Sequence, residues 1–170
     1  MATLNLPGAD DVLTIAEGTD FTMGGGNAAL RVSGTSGGVA IEIAAFWNND
    51  EVVINTTTNG DGDDTINITS AANAHANTDL TINTGTGTDV VNVNGAVTLP
   101  SGGDLNIDSV TINLPNGTSD VTVSGAGEVA LTAQNVSLSS GSSITSATGD
   151  VDLVAAEDIN VAGTITSGGG

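Results

Sequence analysis

Apolar and polar residues alternate in short runs along the whole chain. Val12-Leu13-Thr14-Ile15, Ile66-Asn67-Ile68, Leu80-Thr81-Ile82, Val91-Asn92-Val93, Val121-Thr122-Val123 and Val129-Ala130-Leu131 each carry a two-residue period. That period puts every second side chain on one face, and Val, Ile and Thr suit an extended, half-buried backbone. Each run therefore predicts a strand with one buried face. Gly, Asn, Asp or Ser bounds the runs, and Pro7, Pro100 and Pro115 all stand beside turn residues. No stretch has a persuasive helical period. The prediction is an all-β chain.

The runs also recur at a longer interval. Gly127-Glu128-Val129-Ala130-Leu131-Thr132-Ala133 is followed by Asn135-Val136-Ser137-Leu138 and Ser143-Ile144-Thr145-Ser146. The same three-part phrase returns as Gly149-Asp150-Val151-Asp152-Leu153-Val154-Ala155, Asp158-Ile159-Asn160-Val161 and Thr164-Ile165-Thr166-Ser167. Val129 is thus echoed at Val151, Val136 at Ile159 and Ile144 at Ile165, at nearly one interval. A repeat of about 22–25 residues holding three short strands is one coil of a right-handed parallel β-helix, a β-solenoid, in which each strand pairs with its equivalent one coil away. The expectation is a single domain over 1–170 with six to seven coils: regular coils at 127–167, looser ones at 51–126, and irregular first coils or a cap at 1–50. A narrow column filled by aliphatic side chains accounts for a chain with two Phe, one Trp and no Tyr. The competing fold, an antiparallel sandwich, has no reason to repeat a three-strand phrase.

Composition alone points elsewhere, since Gly, Ser, Thr, Asn and Asp make up about 55% of the chain, a bulk signature of disorder. The periodicity outweighs it. Charge excludes more: 20 acidic side chains face a single basic one, Arg31, for a net charge of -19. Binding to duplex nucleic acid or anionic lipid needs a Lys/Arg surface, so nucleic acid is not an expected partner. Without Cys there is no disulfide, thiolate metal site or thiol nucleophile. No apolar run approaches the length that a spanning helix needs, so no membrane insertion is expected. The chain opens Met1-Ala2-Thr3-Leu4-Asn5-Leu6 and closes on Ser167-Gly168-Gly169-Gly170 directly after a strand. This predicts a fragment of a larger repetitive protein, or a subunit that associates end to end through exposed strand edges.

At the Gly-Asp-Val-x-Leu-x-Ala phrase the chain resembles the haemagglutinin-type repeats of large bacterial surface proteins, the filamentous haemagglutinin-like adhesins, over residues 79–167. The resemblance implies a secreted β-helical shaft that carries adhesive or effector regions elsewhere, and hence an extracellular or cell-surface location. Two segments carry a second pattern: Asn59-Gly60-Asp61-Gly62-Asp63-Asp64-Thr65-Ile66-Asn67 and Thr84-Gly85-Thr86-Gly87-Thr88-Asp89-Val90-Val91-Asn92. These resemble the calcium-binding nonapeptides of RTX proteins. Gly allows a tight turn whose carbonyls face a hard cation, and Asp supplies charge. Asp61, Asp63, Asp64 and Asp89 are the candidate calcium ligands. The interval from Asp64 to Asp89 is close to one coil, so stacked at one corner their charges repel unless protonated, hydrated or bridged by a cation. Against this stands the plainer role of Asp as a strand initiator that caps nearby backbone amides, which Asp79, Asp104, Asp120, Asp150 and Asp158 also suit.

Catalytic readings find little support. Arg31 alone cannot hold a uronate, the pairs Asp10-Asp11 and Asp63-Asp64 are expected by chance in so acidic a chain, and no motif pairs a Ser with the sole His, His75. The chain is read as non-enzymatic. Phe46 and Trp47 are read as core residues that plug or wall the N-terminal coils, where Phe21 and Met23 also lie. The sequons at Asn55, Asn67, Asn116 and Asn135 match chance. Three functions follow in order: a structural spacer of a surface adhesin or fibre, a calcium-stabilised module, and a binder of ice or crystalline polysaccharide prompted by Thr84-Gly85-Thr86-Gly87-Thr88.

Overall fold

Strands form where the alternation predicts them. A computed structural model describes residues 1–7, 9–20, 26–58, 62–72, 79–100 and 102–169. In chain order the strands are β1 (Ala2–Pro7), β2 (Asp11–Thr19), β3 (Ala28–Ser36), β4 (Val39–Ala40), β5 (Ala44–Phe46), β6 (Glu51–Thr58), β7 (Thr65–Ile68), β8 (Ala71–Ala72) and β9 (Asp79–Asn83). There follow β10 (Val90–Val93), β11 (Val97–Leu99), β12 (Leu105–Asp108), β13 (Thr111–Leu114), β14 (Asp120–Val123), β15 (Val129–Leu138), β16 (Ser143–Ser146), β17 (Val151–Val161) and β18 (Thr164–Ser167). Among the described residues no helix is present.

Parallel pairing sorts these strands into three columns. The first runs β1-β6-β9-β12-β15-β17, and the second runs β2-β7-β10-β13 before rejoining β15 and β17. Those two long strands turn the corner between the columns, with a register break between Ala133 and Asn135. The third column is a separate five-stranded sheet, β8-β11-β14-β16-β18. Leu80 pairs with Leu105, Leu105 with Val129, and Val129 with Val151, so each step along the column is one repeat of the sequence. In-register stacking of this kind makes a β-solenoid of about four turns.

The two-residue period decides what is inside. Leu80, Ile82, Leu105, Leu131, Ile112, Leu114, Val121 and Ile144 belong to one continuous apolar column. Fully burying each such side chain is worth about 1.5–3 kcal/mol, and no aromatic ring is needed to fill so narrow an interior. On the outside, equivalent polar side chains meet one another: the Asn92 amide donates to Asn67 Oδ1 at 3.2 Å, and the Asn113 amide to Asn92 Oδ1 at 3.1 Å.

The irregular spacing before residue 50 has a structural cause. β1 and β2 belong to the stack, but β3 folds back antiparallel on β2, from Asp11 opposite Ser36 to Thr19 opposite Ala28, and β4 and β5 pair with β3. Residues 28–46 thus leave the parallel stack and cover the outer edge of β2. The parallel partner of Leu13, Ile66, accordingly lies two intervals away in sequence rather than one.

Candidate functional site

The densest chemistry lies in the turns that lead into β2, β7 and β10. Parallel register aligns Val12 with Thr65, and Thr65 with Val90, so Asp11, the first residue of β2, stands in line with Asp64 and Asp89, which immediately precede β7 and β10. The turns are pressed together. A Cβ on Gly62 would lie 2.5 Å from the Asp10 nitrogen, and one on Gly87, whose φ is 148°, would run into the Gly62 carbonyl oxygen. Only a residue without a side chain permits that approach.

Asp63 and Asp64 face opposite ways, as successive residues of an extended segment do. Asp63 is exposed, Asp64 is buried, and the same holds for Asp10 and Asp11. Two carboxylate columns result. In the outer one, the Asp63 amide donates to Asp10 Oδ1 at 3.1 Å and the Thr88 amide to Asp63 Oδ1 at 2.9 Å. In the inner one the sense reverses: the Asp11 amide donates to Asp64 Oδ1 and the Asp64 amide to Asp89 Oδ1, both at 2.9 Å. Asp11, Asp64 and Asp89 are each 0% exposed. Burial pushes the Asp11 carboxyl above the usual carboxylate range. The Ser36 hydroxyl, close by but not in hydrogen-bonding geometry with either oxygen, draws it part of the way back, while the Asp64 and Asp10 carboxylates push it further up.

Of the four candidate calcium ligands, the structure brings Asp64 and Asp89 together and turns Asp63 outward, while Asp61 lies outside the described residues. Among the described residues no group of three or more His, Cys, Asp or Glu side chains is placed to hold a metal ion. The capping role expected of Asp is present in a different form, because the capped amide belongs to the adjacent coil rather than to the same turn. The first column repeats the device: Asp79 Oδ1 accepts the Asp104 amide at 3.0 Å, and Asp104 Oδ1 accepts the Glu128 amide at 2.8 Å. Asp120 Oδ1 accepts the Ser143 hydroxyl one coil on, at 2.6 Å.

Sequence reasoning dismissed Asp10-Asp11 as chance, yet these residues are the first rung of both columns. The signal was present in Ala9-Asp10-Asp11-Val12-Leu13, which matches Gly62-Asp63-Asp64-Thr65-Ile66 position by position. The excursion of residues 28–46 doubled the interval and hid it.

The remaining candidates fall as follows. Phe46 is partly buried against the apolar column opposite Leu30, but Trp47, just past the end of β5, is 50% exposed, so the core reading holds for one ring and not the other. Phe21, Met23 and His75 lie outside the described residues. In the Thr84–Thr88 run Thr84 is buried, its Oγ1 donating to Ser109 Oγ at 3.0 Å, and Thr86 and Thr88 sit on a turn rather than on a flat face. An in-register threonine row does exist elsewhere, at Thr98, Thr122, Thr145 and Thr166 of the third column. Among the described residues no helix is long and apolar enough to cross a membrane. No protein-family model, curated protein or solved structure matches the chain.

Proposed function

We propose that the chain is a non-catalytic structural segment, a rod-like spacer in a secreted or cell-surface bacterial adhesin or fibre. In this reading it is a right-handed β-helix with three short strands in each coil. One observation carries the reading. A single apolar column runs through the parallel stack, and in the inner turns Asp64 and Asp89 each accept an amide of the adjacent coil. Such an arrangement transmits position along an axis, with each coil touching only its neighbours. High negative charge keeps the rod soluble and apart from like-charged copies.

The test is to insert a second copy of residues 127–148 after residue 148 and to measure length by small-angle X-ray scattering. A spacer lengthens by about 4.8 Å, the spacing between paired strands, with unchanged cross-section and an undiminished melting temperature. An insertion that unfolds the chain or widens it without lengthening overturns the reading. Protease shaving of intact cells that make the parent protein checks the location: cleavage within the segment is expected, and full protection would count against a surface position.

A calcium-stabilised module is the second reading. It is favoured by one observation, a buried stack of carboxylates in a chain with almost no cations.

A further inference from the structure

The inner carboxylate column has a rule and one exception. Each carboxylate reaches back to the amide of the preceding coil: Asp89 to Asp64, and Asp64 to Asp11. Asp11 is the first rung, and what lies behind it is not another parallel coil but β3, which runs antiparallel and presents Ser36. The nearby Gly37 amide donates to the Asp10 carbonyl at 3.0 Å instead. The Asp11 carboxylate is therefore left with both oxygens buried and outside hydrogen-bonding geometry, with only the Ser36 hydroxyl drawing on it, and Asp64 Oδ2, on the adjoining rung, is buried without a partner.

Three orphaned carboxylate oxygens on two fully buried neighbours are costly, because each has lost water without gaining a partner. No basic side chain is at hand to offset them. Arg31, the sole cation among the side chains, stands opposite Ala16, five strand positions from the Asp11–Ser36 pair, or roughly 16 Å. The outer Asp10 and Asp63 carboxylates add to the negative field. One proton neutralises one of the two carboxylates, whereas one divalent ion neutralises both. An all-oxygen, doubly negative donor pair matches a hard ion such as Ca²⁺, whose remaining ligands are ordinarily backbone carbonyls and water.

We propose that Asp11 and Asp64 hold one hard divalent cation at the N-terminal end of the buried carboxylate column, between the turns that enter β2 and β7. This rests on the second reading above; it keeps Asp64 of the 59–67 segment and pairs it with Asp11 of the adjacent coil. The ion would fasten the first coil to the rest of the stack, at the point where β3 interrupts the regular pattern.

The experiment uses the full chain, stripped with EDTA and dialysed at fixed ionic strength. Calcium chloride is titrated calorimetrically, and melts are recorded with chelator and with millimolar calcium. Four proteins are compared: wild type, Asp11→Asn, Asp64→Asn, and Asp120→Asn as a control for diffuse binding to a chain of charge -19. The wild type should show one saturable site and a melting temperature several degrees higher with calcium. Asp11→Asn and Asp64→Asn should bind at least tenfold more weakly and lose the thermal response, while Asp120→Asn keeps both. Absence of a saturable site in wild type, retention of the site in Asp11→Asn, or equal weakening in Asp120→Asn would each overturn the proposal. Should Asp64→Asn fail to fold, Asp11→Asn decides the matter, because the Asp11 carboxylate accepts no described hydrogen bond whose loss could unfold the chain. Failure here leaves the spacer reading intact, since the coil insertion is scored without calcium.

Discussion

The coils that begin at Val129 and at Val151 are written in nearly the same residues, and they differ in what lies on top of them. Val129, Leu131, Val136, Leu138 and Ile144 are all buried. Their register partners Val151, Leu153, Ile159, Val161 and Ile165 are half-buried or exposed, with Ile159 at 47%. Strand formation and register are thus properties of the phrase itself, because alternation and turn residues are local. Burial is a property of the neighbour. In a solenoid a coil's stability is its own small contribution plus two interfaces, and the coil at 151–167 has only one of them.

Truncating the same side chain in the two coils tests this most strongly. Leu131→Ala should cost about 2–5 kcal/mol, the usual range for a leucine enclosed on all sides, read as a shift in the midpoint of a urea or thermal transition. Leu153→Ala, at the paired position, should cost less than half as much, since water already reaches it. Equal losses would mean that the outer coil is covered in solution and would collapse the comparison.

This contrast also shows which parts of the molecule were legible in sequence. The phrase 127–146 and its return at 149–167 exposed the strands, the stacking partners and the apolar column directly, because a parallel coil repeats its pattern at nearly constant interval. The stretch 28–46 defeated the same reasoning. It keeps strand-like alternation at Ala28–Ser36, yet its antiparallel direction leaves no trace in a period-two pattern, which looks alike read either way. The carboxylate site was half legible for the same reason. The acidic turn at 62–64 stands out by composition, but its partner at Asp10-Asp11 lies two intervals away, and the inward or outward choice for each carboxylate follows from the pleat. Trp47 was misjudged because a large ring suggests a core, whereas its exposure follows from standing one residue beyond the end of β5.

A second pair of substitutions isolates hydrogen bonding from packing. Ser146 is buried, its hydroxyl donating to the Gly127 carbonyl at 2.7 Å and accepting from the Gly149 amide at 3.0 Å, so it ties its own coil's corner closed. Ser167, its register partner, is exposed and donates to the Gly149 carbonyl at 3.1 Å. Ser146→Ala should cost about 1–2 kcal/mol, because a buried carbonyl and a buried amide both lose a partner, whereas Ser167→Ala should stay within about 0.5 kcal/mol. The reverse order in thermal melts would show that the corner at 167 is the more enclosed of the two.

The smallest expected effect addresses the acidic column that enters the first sheet, where the coil at 129 again differs from its neighbours. Asp79 and Asp104 each cap the next coil's amide, but Glu128, in the equivalent place, makes no such bond to the Asp150 amide. Glu is one methylene longer than the Asp at the equivalent places, and the Glu128 side chain lies exposed. Shortening it should restore the pattern. Glu128→Asp is therefore expected to raise stability by about 0.5–1 kcal/mol, and Asp104→Ala to lower it by about 1 kcal/mol through loss of the bond to the Glu128 amide. Amide hydrogen exchange separates the explanation from a general charge effect, since both variants leave most of the -19 net charge in place. Protection should rise specifically at Asp150 in the first variant and fall at Glu128 in the second. If Glu128→Asp instead leaves the Asp150 amide as exchangeable as before, the two carboxylate-to-amide bonds of the column are incidental contacts rather than the device that holds one coil to the next.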